Sequence, residues 1–115
     1  MADVQQVIAQ YGPLPIQVTA DIETDGPTVV TVAGSVWTTT QDSMIGVGLM
    51  IDGNVVAQAP IFSNGPSTHR AVVPVSFPYT FTSTGQPNQH TFVLEELTPQ
   101  TTSDYNDYFS VTVLY

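Results

Sequence analysis

Residues 44–61 leave the least freedom of any part of this chain. Ile45, Val47, Leu49 and Ile51 recur at every second position. Asp52-Gly53 follows, and Asn54 opens a second alternating run with Val55, Ala57, Ala59 and Ile61. Period-two alternation turns one face of an extended chain into a core. Both central residues of a two-residue hairpin loop need positive φ, and Asp-Gly tolerates it. The segment is therefore expected to be an antiparallel hairpin with one apolar face.

The same period runs through most of the chain. Between Thr28 and Trp37, Val30, Val32 and Val36 share a face opposite Thr31 and Ser35. After the loop Ser63 to Thr68, His69, Ala71, Val73 and Val75 alternate, and Pro74 marks that strand as an edge or a bulge because it has no amide to donate. Tyr79 to Phe81 forms a short strand. His90, Phe92 and Leu94 share a face, as do Phe109, Val111, Val113 and Tyr115. With Ile16 to Asp21 this makes about eight short strands separated by turn residues, and no helical pattern interrupts them. The expected fold class is all-β, an antiparallel two-sheet jelly-roll sandwich formed by residues 16–115 as a single domain. Residues 1–15 stand apart. Val4, Ile8 and Tyr11 have helical spacing before Gly12-Pro13, so either a short helix or an extended arm packing on a neighbour fits them.

Charge narrows the partners. The chain of 115 residues has ten acidic side chains against one basic one, Arg70, for a net charge of −9. Nucleic-acid affinity comes largely from Lys and Arg displacing counterions, so nucleic acid is excluded, and anionic membranes are disfavoured for the same reason. No apolar run approaches the roughly 18 residues that span a bilayer, so membrane insertion is not expected; localisation stays unknown, with a soluble, extracellular or particle-associated protein expected. Cysteine is absent, which removes thiol chemistry and disulfides. Arg70, the lone fixed cation, is expected to pair with a carboxylate, either across a subunit interface or to anchor a loop.

Few residues suit catalysis. His69 and His90 are the only histidines, both fall on apolar strand faces, and no Gly-x-Ser-x-Gly elbow is present. The chain is not expected to be an enzyme. Two loops carry better binding chemistry. Trp37 sits beside Thr39, Gln41 and Asp42, an aromatic face that can stack on a sugar ring next to side chains that bond its hydroxyls. Asp104, Asn106 and Asp107 place three oxygen-bearing side chains in four residues, suited to Ca2+ or, equally in kind, to capping a turn through their own backbone. No cofactor is required by the sequence, and Ca2+ is the one candidate.

Two strands lack a polar outer face. Met44, Gly46, Gly48 and Met50 lie opposite the core positions of one, and Tyr108 and Leu114 flank only Ser110 and Thr112 on the other. Contiguous apolar surface of this kind marks a contact, so these six residues are candidate interface positions of a homo-oligomer.

The tetrapeptide Asp104-Tyr105-Asn106-Asp107 resembles part of the calcium loop of bacterial fucose- and mannose-binding lectins, which also precedes their final strand. Those lectins carry further acidic ligands upstream, where this chain has Thr98, Thr101 and Thr102, and they end in glycine where it has Tyr115. From Trp37 onward, Ile51-Asp52-Gly53, Ser63-Asn64 leading to His69-Arg70, His90-Thr91-Phe92 with Leu94, and Asp104 through Val113 resemble small bacterial and phage-associated domains with a tumour-necrosis-factor-like jelly roll. That resemblance implies a trimeric, non-enzymatic head that recognises glycan or a cell-surface protein through loops. The lectin resemblance implies a calcium-dependent variant of the same activity, and a purely structural subunit of a phage tail or particle is the remaining expectation.

Overall fold

The hairpin forms as its sequence dictates. In the computed structural model, which describes residues 3–115, β4 (Ser43–Ile51) and β5 (Asn54–Ser63) pair antiparallel across Asp52 and Gly53, whose φ values are 51° and 87°. Ile45, Val47, Leu49 and Ile51 are completely buried. A register shift between Leu49 and Met50 moves Val55 off the inner face, and it is exposed.

Among the described residues, nine strands build two antiparallel sheets. Besides β4 and β5 they are β1 (Val4–Tyr11), β2 (Ile16–Asp21), β3 (Pro27–Val36), β6 (Arg70–Ala71), β7 (Val75–Thr80), β8 (Gln89–Glu96) and β9 (Tyr108–Leu114). One sheet runs β1-β9-β3 with β6 and β7 both on the far edge of β3, and the other runs β2-β8-β4-β5. Taking β6 and β7 as one interrupted strand, this is the strand order of two interleaved Greek keys, a jelly roll. The interruption falls at residues 72–74, on the edge where Pro74 costs no ladder bond. It also reverses the facing: Val72 is buried and Val73 exposed, not the Val73–Val75 face the alternation predicts.

Residues 4–11 form a strand, and the helical alternative is corrected. Their Val4/Ile8/Tyr11 spacing arises from a register shift between Gln6 and Ile8, which turns Ile8 into the core while Val4 and Tyr11 stay outside. Isolated short helices are marginal in water, whereas β9 offers a ready ladder from Val4–Leu114 to Tyr11–Tyr108. The core between the sheets is aliphatic in its middle, with Val30, Val32, Val111 and Val113 facing Ile45, Val47 and Leu49, and aromatic near Phe81 and Phe92.

The strands run so that loops gather at two ends. One end carries residues 22–26, the Asp52-Gly53 turn and residues 81–88. The other carries residues 12–15, 37–42, 64–69 and 97–107. Both of the loops singled out for binding are therefore at the same end.

Candidate functional site

Trp37 leaves β3 at that end and is tied at once to the long loop before β9. Its N–H donates to Thr102 O at 2.9 Å, and Thr102 N–H donates back at 2.8 Å. Thr98 and Thr101 fix the same loop to β4, through Thr98 Oγ1–H to Met44 O at 2.8 Å and Gly46 N–H to Thr101 Oγ1 at 3.2 Å. The threonines that stand where the lectins carry acids thus serve as loop anchors, and Thr101 is buried.

Asp107 is the keystone of the site. It is completely buried; Oδ1 accepts from the Ser35 hydroxyl at 2.7 Å and from His69 Nδ1 at 2.6 Å, while Oδ2 accepts from Asp104 N–H at 2.9 Å. His69 is thereby held with its ring against Trp37, centroids 5.7 Å apart and planes at 39°. Its Nε2 faces Asp104 Oδ2 at 3.8 Å, with both side chains 38% exposed. The hydrogen bond to Asp107 raises the His69 pKa above its usual value; desolvation opposes this, and the charges of Asp107 and Asp104 add to it. Alternation placed His69 among apolar strand residues. The chain instead crosses from the 64–68 loop into β6 there, and the imidazole turns to the site.

Ser35, His69 and Asp107 are the residue types of a hydrolytic triad in the wrong order. A triad needs histidine between serine and acid so that the imidazole can take the hydroxyl proton. Here the carboxylate sits in the middle and takes both hydrogen bonds. The group positions an imidazole and cannot activate a nucleophile.

The calcium candidates divide. Asp104 Oδ1 accepts Asn106 N–H at 2.8 Å, which caps the turn, Asn106 is exposed, and Asp107 points inward with both oxygens engaged. The donors close to one another are those of His69, Asp104 and Asp107, within 4.8 Å. Calcium takes six to eight oxygen ligands, and an imidazole with one half-exposed and one fully engaged carboxylate does not fit that demand.

Thr39, Gln41 and Asp42 are exposed on the turn after Trp37. Thr38 is buried beneath them, accepting Thr40 N–H through Oγ1 at 3.1 Å, and its carbonyl accepts Ser67 N–H at 2.7 Å. Trp37 itself is half-buried. Its Nε1–H is the single buried side-chain polar atom without a partner among the described residues. Within the chain Arg70 has no carboxylate at ion-pair distance among the described residues, so a loop-anchoring ion pair is not made; its Nε donates instead to Ser63 Oγ at 3.2 Å and anchors the neighbouring loop.

The six interface candidates are split between two opposite faces. Gly46 and Gly48 are not open surface: a Cβ on Gly46 would meet Ala59 O at 2.2 Å, and the Glu95 side chain lies 3.6 Å from a Cβ on Gly48. These glycines admit a close β5 backbone and the Glu95 side chain within one chain. Met44 remains exposed and Met50 half-exposed on the four-stranded sheet, whereas Tyr108 and Leu114 are exposed on the other.

A concavity away from the Trp37 end escaped the sequence reading. At the far end a groove of about 360 Å³ is lined by Asp21, Glu23, Asp25, Ser83, Gln86 and Asn88, among others. Asn88 bridges it to a buried histidine. His90 Nε2 faces Asn88 Oδ1 at 2.9 Å and Nδ1 faces Asp52 Oδ2 at 2.6 Å, while Asn88 Nδ2 donates to Ile22 O and Thr24 O. The polar atoms of Asn88 are spent on holding loops together.

No protein-family model and no curated protein matches the chain. Among solved structures it is similar to one described as "EclA C-terminal domain; sugar-binding protein", with a TM-score of 0.50 and 15% identity over 98% of this chain and 76% of that one. At that identity the likeness is one of fold: the chain shares the architecture of a sugar-binding domain.

Proposed function

We propose that this chain is a non-enzymatic glycan-binding head that uses the Trp37 end of the sandwich and works as a homo-oligomer. The observation that carries the reading is the convergence of Trp37, His69 and Asp104 at one loop end, with the imidazole locked by the buried Asp107. An aromatic face beside fixed hydrogen-bonding groups is the chemistry that recognises a sugar ring and its hydroxyls. Thr39, Gln41 and Asp42 on the adjoining turn extend the polar rim. The fold shared with a sugar-binding domain agrees with this reading. Repetition of a shallow site in an oligomer raises its avidity without new contacts.

Glycan-array binding of the wild type and of Trp37→Ala, each with and without EDTA, tests the proposal. Wild-type binding is expected to persist in EDTA, and Trp37→Ala is expected to lose at least tenfold. Binding that EDTA abolishes would replace this reading with the cation-dependent one, and an array without any bound glycan would leave the structural-subunit reading.

A further inference from the structure

One buried carboxylate aims two exposed ligand atoms at each other. Asp107 Oδ1 accepts from His69 Nδ1 at 2.6 Å, its Oδ2 accepts from Asp104 N–H at 2.9 Å, and its side chain has no exposed surface. The same Oδ1 also takes the Ser35 hydroxyl. A carboxylate filled by donors in this way keeps the proton of a neutral imidazole on Nδ1 and leaves a lone pair on Nε2. That lone pair faces Asp104 Oδ2 at 3.8 Å, with both side chains 38% exposed. Asp104 Oδ1 is taken by Asn106 N–H at 2.8 Å, whereas Oδ2 and His69 Nε2 make no hydrogen bond among the described residues. Two acceptors thus stand opposite one another with no donor between them.

We infer that His69 Nε2 and Asp104 Oδ2 are the ligands of a late first-row divalent cation, with Zn2+ as its representative and Asp107 as the orienting carboxylate behind both. The inference concerns the loop end of the proposed glycan site but does not rest on sugar binding, and the ion-free protein is the form expected to bind glycan in EDTA. The spacing favours an ion over a water molecule. A water about 2.8 Å from each atom would hold them about 4.6 Å apart at a tetrahedral angle. Zn2+ at about 2.0–2.1 Å from each would hold them about 3.4 Å apart. Two partly exposed side chains reach that spacing from 3.8 Å by closing a few tenths of an ångström.

Ligand chemistry selects the ion. An imidazole nitrogen with one carboxylate oxygen suits zinc, copper or nickel, while calcium and magnesium take oxygen shells. A metal-ligating histidine characteristically donates its other ring N–H to a carboxylate, which fixes the tautomer and makes the ligating nitrogen more basic. Asp107 does this for His69 and, through the Asp104 amide, sets the second ligand as well. His90 is the internal contrast: it is buried, with Nε2 facing Asn88 and Nδ1 facing Asp52, so neither nitrogen is open to an ion. Two protein ligands leave the remaining positions to water, so the ion is held weakly and exchanges. The net charge of −9 attracts divalent cations of every kind to the surface, and the preference for zinc therefore has to show against calcium.

An NMR titration of the isotope-labelled, chelator-treated protein with ZnCl2, without glycan and at mildly alkaline pH, tests this. The His69 imidazole and the amides of residues 103–107 are expected to shift along one saturating curve with a dissociation constant below about 1 mM. His90 is expected to stay unmoved. CaCl2 at equal concentration is expected to leave the His69 imidazole signals unchanged. Asp104→Asn is expected to weaken Zn2+ binding at least tenfold, and Asp25→Asn, the same charge change at the far end, to leave it as it is. His69→Gln is expected to lose the binding even if Asp104→Asn disturbs its turn. No saturable shift of the His69 imidazole, an equal response to calcium, Zn2+ going first to residues 21–25, or equal losses in Asp104→Asn and Asp25→Asn would each overturn the inference. Because no sugar enters these measurements, failure here leaves the glycan proposal standing, and an array without bound glycan leaves the ion site standing.

Discussion

Asp107→Ala is expected to destabilise the protein by about 3 kcal/mol and to abolish sugar binding together with the Trp37–His69 stack. Three donors converge on a carboxylate with no exposed surface. Hydrogen bonds to a charged group contribute roughly 1.5–3 kcal/mol each, so a simple sum would overshoot. The Ser35 hydroxyl can rotate, and the partly exposed His69 can turn to water. Only Asp104 N–H stays fixed beside an empty space, and breaking a buried charged network at one member costs about 3–5 kcal/mol; the relaxation of two donors places the effect near the lower figure. Asp107→Asn keeps one acceptor oxygen for Ser35 and His69 but turns an NH2 group towards Asp104 N–H, so it is expected to fall between. In both variants the His69 pKa is expected to drop towards its ordinary value, because the hydrogen bond to Asp107 is the largest cause of its rise. Urea unfolding gives the first quantity and an NMR titration of the imidazole the second. A loss below 1 kcal/mol with an unchanged His69 titration would contradict the role given to Asp107.

His90→Ala is expected to cost a similar amount, about 3 kcal/mol, with no effect on the site. The imidazole is buried between strands, its ring 5.0 Å from that of Phe81, with both nitrogens facing oxygen acceptors. Truncation leaves a cavity beside Phe81 and removes the ring that faces Asn88 Oδ1 and Asp52 Oδ2. Of these, Asp52 is 41% exposed at its side chain and rehydrates, and Asn88 Oδ1 keeps Thr84 N–H at 3.0 Å. His90→Leu refills most of the cavity and is expected to recover about half of the loss. Thermal or urea unfolding of the pair separates packing from hydrogen bonding. A leucine variant as unstable as alanine would show that the hydrogen bonds dominate. Sugar binding at the far end is expected to be the same in both variants as in wild type.

Most of the architecture was legible because alternation and turn chemistry agree along the chain. Asp52-Gly53 announced its hairpin through backbone preference alone. What the sequence could not show is that the Asp52 carboxylate also reaches back to Thr91 N–H and His90, since that contact spans nearly forty residues. Residues 4–11 were ambiguous because a bulge imitates helical spacing, and a period read over eight residues cannot tell the two apart. The glycines of β4 looked like open surface because a sequence does not reveal what lies above a residue; Glu95 and the β5 backbone do.

For the site, the Trp37 turn and the Asp104–Asp107 loop were each visible as compositions. Their meeting at one end follows only from the jelly-roll order, in which the β3–β4 and β8–β9 connections emerge on the same side. His69 was missed as a site residue. The signal present in the sequence was its place at the end of a loop rich in Gly, Pro and Ser, where alternation no longer fixes a facing direction.

The most direct test of the central claim is an NMR titration of the isotope-labelled protein with an oligosaccharide selected on the array. Trp37 is the only tryptophan, so its indole N–H signal is assigned without ambiguity. The account predicts that this signal, the imidazole of His69 and the amides of residues 38–42 and 103–107 shift together along one saturating curve, with residues 81–88 unmoved. Shifts confined to the acidic groove around Asp21, Glu23 and Asp25, with the Trp37 signal unchanged at saturation, would contradict it.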